Sequence, residues 1–395
     1  MILRRLTIER FRNLAHVEIE LSGGVTLFWG RNAQGKTNLL EAVHYLATGR
    51  SFRTRLDREC LPLPTLPTLL TLPAAPVVAR VVGRVERASL SHHLAISLTE
   101  QAKFAWVDGK AVARLGDLLG KLMIVLFTPD DIGIAAGAPA LRRRFLDMAL
   151  SQVSATYLGH LQSYVEALRQ RNAALRSGDR SLVWHGHPAP DLAGQDARTA
   201  SLDPWAGLLV EHGVEVSLAR RETVAQLAGL AHDLYEHIAP GDGPLAVEWR
   251  SGSGLDPDND RDRARERFWK RLQEVAASER ARGQTLVGPH RDDLSLTIGG
   301  REVRDYGSQG QQRSVALALR LAEVQWMNQE TGEMPVLLVD DLGAELDRDR
   351  RARLLALFAA GVQTLATTAG DAEILGPMIG AERALEVRQG AVTAV

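Results

Sequence analysis

Eight residues, Gly30-Arg31-Asn32-Ala33-Gln34-Gly35-Lys36-Thr37, constrain this chain more than any other stretch. They satisfy the pattern G-x-x-x-x-G-K-[ST] at every fixed position. Residues 25–29 ahead of them alternate and β-branch like a buried strand, and residues 38–47 behind them read as a helix closed by Gly49. A glycine-rich turn between strand and helix presents successive N–H groups that converge on phosphate oxygens, and the helix dipole adds to their pull. Lys36 would reach the β- and γ-phosphates and the Thr37 hydroxyl would hold Mg²⁺. The stretch from Gly30 to Asn38 is therefore the candidate ATP site.

A chain of 395 residues holds two domains, or one domain with a large insertion. Its formal net charge of -1 means that a nucleic-acid partner must be met by a local basic patch, such as Arg50, Arg53, Arg55 and Arg58. The single cysteine, Cys60, excludes an internal disulfide and fits a reducing compartment. The N-terminus has no apolar signal core and no apolar run is long enough to span a bilayer. The expectation is a soluble, cytoplasmic protein with no membrane partner.

Strands are expected at 3–9, 17–21 and 25–29, as antiparallel strands beside a parallel, nucleotide-binding set. A Leu/Pro/Thr run over 61–76 reads as an exposed loop, because proline denies both helix and central strand. Strand-like patterns follow at 77–85, 90–98, 104–107 and 121–127. From 139 to about 176 the apolar spacing is helical, then 177–204 is polar and aperiodic. Helices are expected over 205–238, 264–282, 315–328 and 348–360, with strands at 246–249, 294–298, 301–303, 336–340 and 363–368. A mostly helical region is thus inserted between two halves of an α/β unit. The expected boundaries are 1–127 for the first part of lobe I, 128–330 for lobe II and 331–395 for the rest of lobe I.

Four apolar residues ending in Asp340 at a strand's carboxyl end suit a metal-holding acid, and Asp341 beside it could orient an attacking water. Gly307, Ser308 and Gly310 cluster just before another helix, which makes a second helix start competent for an anion. That cluster is either a simple cap or a group that reaches a nucleotide held by another copy. The paired histidines His92-His93 and His185-x-His187 lack partners at metal spacing and read as surface residues. Arg142-Arg143-Arg144 is either a phosphate site or a solvated helix face.

Gly307-Ser308-Gln309-Gly310-Gln311 is similar to the signature motif of ABC-type ATPases. With the phosphate loop, the strand ending at Asp340 and Gly343-Ala-Glu-Leu-Asp347, it resembles an SMC-like head. Together with Gly288-Pro-His-Arg-Asp-Asp-Leu294 and Arg142-Arg-Arg-Phe-Leu-Asp147, the chain closely resembles the bacterial RecF family. The resemblance implies an ABC-type P-loop head with a mixed sheet in lobe I, a mostly helical lobe II and no long coiled coil. It implies a weak, DNA-stimulated ATPase of DNA repair and replication that dimerises head to tail around ATP. It also implies binding to duplex DNA and gapped or single-strand junctions, and cooperation with RecO and RecR in placing RecA on single strands. In that scheme Ser308, Gln309, Gly310 and Gln311 meet the partner's ATP, Asp347 lies across the dimer seam, and Arg53 meets phosphate or DNA.

Two departures stand out from ATPases of ABC transporters. Those place Glu where this chain has Asp341, and a shorter acid implies slow hydrolysis. They also carry His after the next strand, where Thr367-Thr368 stands here; RecF resembles this chain at both places. No glutamine stands in the lobe-connecting loop at 128–131. A transporter's ATPase subunit is the alternative from another class, and a small-molecule phosphotransferase has no use for a second phosphate-binding helix start.

Overall fold

The computed structural model describes residues 1–62, 78–87, 90–177, 204–252, 254, 260–341, 361–370 and 376–394. Most of the proline-rich run, the polar segment with His185 and His187, the helix expected at 348–360, and Asp347 lie outside the described residues. The chain forms two compact units, one of Met1–Ile132, His237–Pro240 and Arg313–Val395, the other of Gly133–Glu236 and Gly241–Gln312.

The first unit opens with strands β1 (Ile2–Phe11), β2 (Leu14–Glu20) and β3 (Val25–Trp29), then helix α1 (Lys36–Thr48). Strands β4 (Ala79–Arg87), β5 (Leu90–Leu98), β6 (Lys103–Val107), β7 (Lys110–Ala111) and β8 (Ile124–Phe127) follow. In the second unit come α2 (Pro139–Val153), α3 (Ala155–Ser177), α4 (Pro204–Ile238), β9 (Leu245–Arg250) and α5 (Arg261–Arg282). Strands β10 (Asp293–Ile298) and β11 (Arg301–Glu302) lead to α6 (Gln309–Thr331), whose residues from Arg313 belong to the first unit. The chain returns with β12 (Val336–Val339), β13 (Thr364–Thr368), β14 (Ala381–Arg388) and β15 (Ala391–Ala394).

Among the described residues the first unit has two six-stranded sheets. One is antiparallel in the order β2-β1-β4-β5-β6-β7. The other runs β15-β14-β3-β13-β12-β8, parallel from β14 to β8 with β15 antiparallel at the edge. The early antiparallel strands therefore form a sheet of their own, and β3 alone joins the parallel set. Helix α1 lies between the two sheets, which explains why it is buried nearly all round from Leu39 to Thr48. Its Leu39, Leu40, Val43 and Leu46 share one core with Leu6 and Ile8 of β1, Val81 of β4, Ile96 of β5, and Leu338 and Leu365 of the parallel sheet.

The helix expected from 139 to 176 is two helices. At Ser154 the backbone is extended (φ -126, ψ 108); its N–H still donates to Leu150 O at 2.8 Å, while its hydroxyl accepts from Tyr157 N at 3.1 Å. One serine thus closes α2 and caps α3, a competition that apolar spacing does not register. Helix α5 begins at Arg261 rather than 264, because Asp260 accepts from the N–H groups of Asp262 and Arg263. The β14–β15 hairpin was not anticipated.

Candidate functional site

The 30–37 loop leaves the carboxyl end of β3 and enters α1, inside the parallel sheet. Its shape demands the two glycines. Gly30 has φ 147, and a Cβ there would meet Val387 O at 2.4 Å. Gly35 has φ 113, and a Cβ there would meet Asn13 Oδ1 at 2.8 Å. Ala33 also takes a positive φ, of 62. The β14–β15 turn holds the loop from outside: Gly390 N donates to Gln34 O at 2.9 Å and Gln389 N to Gln34 Oε1 at 2.8 Å. Gln34 Nε2 reaches Asn32 O at 3.4 Å, and Asn13 Nδ2 donates to Gln34 O at 3.1 Å. A preformed loop of this kind meets an anion without first ordering itself.

Lys36 crosses the mouth of the loop. Its Nζ donates to Gly30 O at 2.7 Å and Arg31 O at 2.8 Å. Burial pulls its pKa down, against the opposing fields of Asp341 and Asp340. The Thr37 hydroxyl donates to Asp340 Oδ1 at 2.9 Å, joining residues 303 apart in the chain. Parallel pairing explains the meeting: β13 lies between β3 and β12, and their carboxyl ends open on one side. A hydroxyl and a carboxylate are hard oxygen ligands. This pair fits Mg²⁺, which takes one or two protein ligands and fills its octahedron with phosphate and water. Bound there, Mg²⁺ would neutralise charge on the phosphoryl oxygens.

Thr367 completes the cluster. Its Oγ1 donates to Asp340 Oδ1 at 2.7 Å and accepts from Asp341 N at 2.9 Å. Asp341 sits in left-handed backbone with φ 54, a conformation non-glycine residues avoid, and the Thr367 hydroxyl pins it there. The threonine noted only as a departure from transporter ATPases is the group that joins the two acids.

Arg53 stands at the first turn of α1, where its Nη1 donates to Asn38 Oδ1 at 2.7 Å and lies 3.5 Å from Glu41 Oε2. Asn38 Nδ2 also donates to Asn13 Oδ1 at 2.7 Å. Glu41 is fully buried; the Arg12 guanidinium forks onto it at 2.8 and 2.6 Å, and the Ser51 hydroxyl donates to it. Arg12 was missed as a partner. Its sequence signal is weak, an arginine before Asn13 in the turn between β1 and β2.

In the second unit, Ser308 and Gln311 cap the start of α6. Gln311 N donates to Ser308 Oγ at 3.2 Å and Ser308 N to Gln311 Oε1 at 3.0 Å. This is a capping box, S-x-x-Q, and it gives the Ser308 hydroxyl a partner within its own chain. Gln309 and Gly310 form the first turn between them. Gln312 Nε2 donates to Gly307 O at 3.1 Å and ties this turn to the short helix Val303–Tyr306.

Within the arginine run at 142–144, Arg142 and Arg143 fit neither reading, while Arg144 is exposed as a solvated helix face would have it. Arg142 is 4% exposed and forks onto Asp293 at 2.7 and 3.0 Å, while Arg143 Nη1 donates to Asp292 O at 2.7 Å. Asp292 in turn meets Arg220 Nη1 at 3.0 Å, Ser217 Oγ at 3.2 Å and Gly252 N at 2.8 Å. Arg220 also forks onto Asp147. His290 Nε2 faces Thr285 O at 3.0 Å and its Nδ1 faces the Tyr164 hydroxyl at 2.6 Å. A carbonyl only accepts, so Nε2 carries the proton and Nδ1 accepts from Tyr164. Both segments, 142–147 and 288–294, supply internal staples through Arg142, Arg143, Asp147, His290, Asp292 and Asp293.

Comparison with known proteins agrees with this geometry. An AAA domain model matches residues 5–63, the span from β1 through the loop and α1. The chain is 39% identical over 368 residues to the DNA replication and repair protein RecF of Symbiobacterium thermophilum, covering 93% of this chain and 91% of the relative. A solved structure described as the recombination mediator protein RecF-ATPrS in the RecFOR pathway matches with TM-score 0.85 at 28% identity, over 100% of this chain and 98% of that one. An Smc head bound to the C-winged helix domain of ScpA matches with TM-score 0.53 at 14% identity, covering 100% of this chain and 97% of that one, which shows the shared fold. With the phosphate loop, the paired acids and the α6 capping box in place, and with identity of this extent along nearly its whole length, the chain belongs to the RecF family.

Proposed function

We propose that this chain is an ATP-dependent DNA-binding protein of recombinational repair and replication restart, in which ATP joins two copies head to tail. The observation that carries this is the convergence of Lys36, Thr37, Asp340 and Asp341 on one phosphate loop in a member of the RecF family. Lys36 contacts the β- and γ-phosphates, Thr37 and Asp340 hold Mg²⁺, and Asp341 orients the attacking water. Its short side chain makes turnover slow, so hydrolysis resets a switch. The lobes run 1–127 with 331–395, and 128–330. The helix start at Ser308–Gln311 of one copy meets the γ-phosphate held by the 30–37 loop of the other, with Asp347 at the seam and Arg53 near phosphate or DNA. The dimer clamps duplex or gapped DNA in the cytoplasm and, with RecO and RecR, helps place RecA on single strands. Similarity to proteins named for replication, repair and the RecFOR pathway supports this reading over a transporter subunit.

The test is sedimentation with ATP, with ADP and without nucleotide. Dimers are expected with ATP alone, because ADP lacks the γ-phosphate. Ser308→Leu should stay monomeric while binding ATP. Ser308→Asp is the stricter variant, since Asp caps a helix as well as Ser but repels phosphate. Equal dimer fractions in all three states, or normal dimerisation of the Ser308→Asp protein, would show the segment to be a cap and nothing more.

A further inference from the structure

The antiparallel sheet of the first unit turns Leu6, Ile8, Val81, Leu94 and Ile96 into the core, and among the described residues its other face carries exposed Glu9, Arg80 and Phe104 beside half-buried Ser97, Ala95 and Trp106. That outer face is unusual for a solvated sheet. Along one row the register sets Glu9 opposite Arg80, Arg80 opposite Ser97 and Ser97 opposite Phe104; in the next row Val82 faces Ala95 and Ala95 faces Trp106. Phe104 is 52% exposed, and its ring centroid lies 6.3 Å from that of Trp106 with the planes at 37°. The cross-strand neighbours of these rings, Ser97 and Ala95, are too small to cover them. Two cavities of about 550 and 360 Å³ open on the same face, and Arg80 lines both. The larger adds Arg10 and His16, the smaller adds His93 and Trp106; among the described residues Glu9 is the one acid lining either. The sheet's Glu18, Glu20 and Glu86 lie farther along the strands, paired with Arg5, Arg84 and Arg4.

We infer that this face docks single-stranded DNA, with unpaired bases stacked on Phe104 and Trp106 and phosphates drawn to Arg80 and Arg10. The inference rests on the DNA-binding reading above and gives it a surface. Bases within a duplex have their faces covered by their neighbours, so a flat aromatic platform serves bases that have left the stack. Aromatic rings on the same face as Arg80 and Arg10 are complementary to an unpaired strand, which carries both a π-face and a charge at each nucleotide. An apolar segment of another protein would match the rings but leave Arg80 and Arg10 unanswered. A strand at the end of a gap would then be held by one face of the molecule.

The experiment uses the full chain with ATP and three labelled probes: an oligothymidylate, an abasic oligomer of equal length and a blunt duplex. Phe104→Ala and Trp106→Ala should each weaken oligothymidylate binding about tenfold or more, the cost of a lost stacking contact, and leave the abasic and duplex probes unchanged. Trp106→Phe, which keeps a ring, should restore most of the affinity and shows that folding is intact. Arg80→Ala should weaken the oligothymidylate and abasic probes alike and flatten their salt dependence. A halogenated oligothymidylate irradiated on the protein should crosslink to Trp106. Wild-type affinity in both ring variants overturns the inference and assigns the face to a protein partner, while leaving the DNA-binding reading intact. Failure of the unaltered protein to bind any of the three probes overturns both.

Discussion

At the scale of single residues, the hydroxyl of Thr367 has a role that charge alone would not reveal. It bridges Asp340 and the backbone of Asp341, and it offsets the strain of a left-handed aspartate. Thr367→Val keeps the shape and removes the bridge. ATP binding should persist while single-turnover hydrolysis falls about tenfold, roughly 1.4 kcal/mol in the barrier. Unchanged hydrolysis would mean that Asp341 is held by something else. His290 makes a pH-dependent contribution of the opposite kind, to stability. Burial lowers its pKa from 6.5 to about 4, with the Thr285 hydrogen bond opposing and the nearby Arg291 and Arg143 adding to the shift. An unfolded imidazole therefore takes a proton that the folded one refuses across that window. Stability falls as pH drops from about 6.5 toward 4, by about 1.4 kcal/mol per unit at the steepest, and the loss stops below the folded value. His290→Gln should remove this part of the slope in urea titrations. An unaltered pH profile would assign the acid sensitivity to other groups.

Among elements, the staples of the second unit matter most. Arg220 on α4 is 3% exposed and ties Asp147 of α2 to Asp292 of the 288–294 segment, which runs straight into β10. Its own pKa is raised: burial opposes the charge, and Asp147, Tyr157 and Asp292 outweigh it. Taking away one partner of a buried ionic cluster costs about 3–5 kcal/mol, because the remaining carboxylates keep their desolvation without their counter-charge. Arg220→Met should therefore lower the denaturation midpoint sharply, and Arg220→Lys should recover part of it, having charge but no fork. A loss below about 1 kcal/mol would show that water or rearrangement satisfies the two acids. Helix α1 is held differently, by apolar packing on both sides and by its buried Glu41, which meets the partly exposed Arg12 and the half-exposed Arg53 near its loop end.

For the whole molecule, a net charge of -1 gives no long-range pull on DNA, so the proposed DNA binding has to rest on local arginine clusters. Each phosphate contact releases condensed counterions, and log affinity should fall with log salt at a slope of about -0.9 per phosphate on duplex. A titration that is flat between low and moderate salt would exclude backbone-directed binding. Among the described residues no helix is long and apolar enough to cross a membrane.

The sequence by itself determined the phosphate loop. Strand, glycines, lysine, threonine and helix lie within a couple of dozen adjacent residues, so local sterics and periodicity specify them together. It also determined the alternating strands and the long helices, because burial of one face leaves a period in the chain. The S-x-x-Q cap of α6 is legible too, as one of the two readings that the Gly307–Gly310 cluster leaves open. Tertiary structure alone decided which distant groups meet the loop. Thr37, Asp340 and Thr367 come together because β13 is inserted between β3 and β12, and strand order leaves no trace in any one segment. It likewise decided that Arg142 is buried against a half-buried Asp293, where spacing offered only solvent or phosphate. A charged side chain looks the same in sequence whether water or a carboxylate solvates it, and only the fold chooses between them.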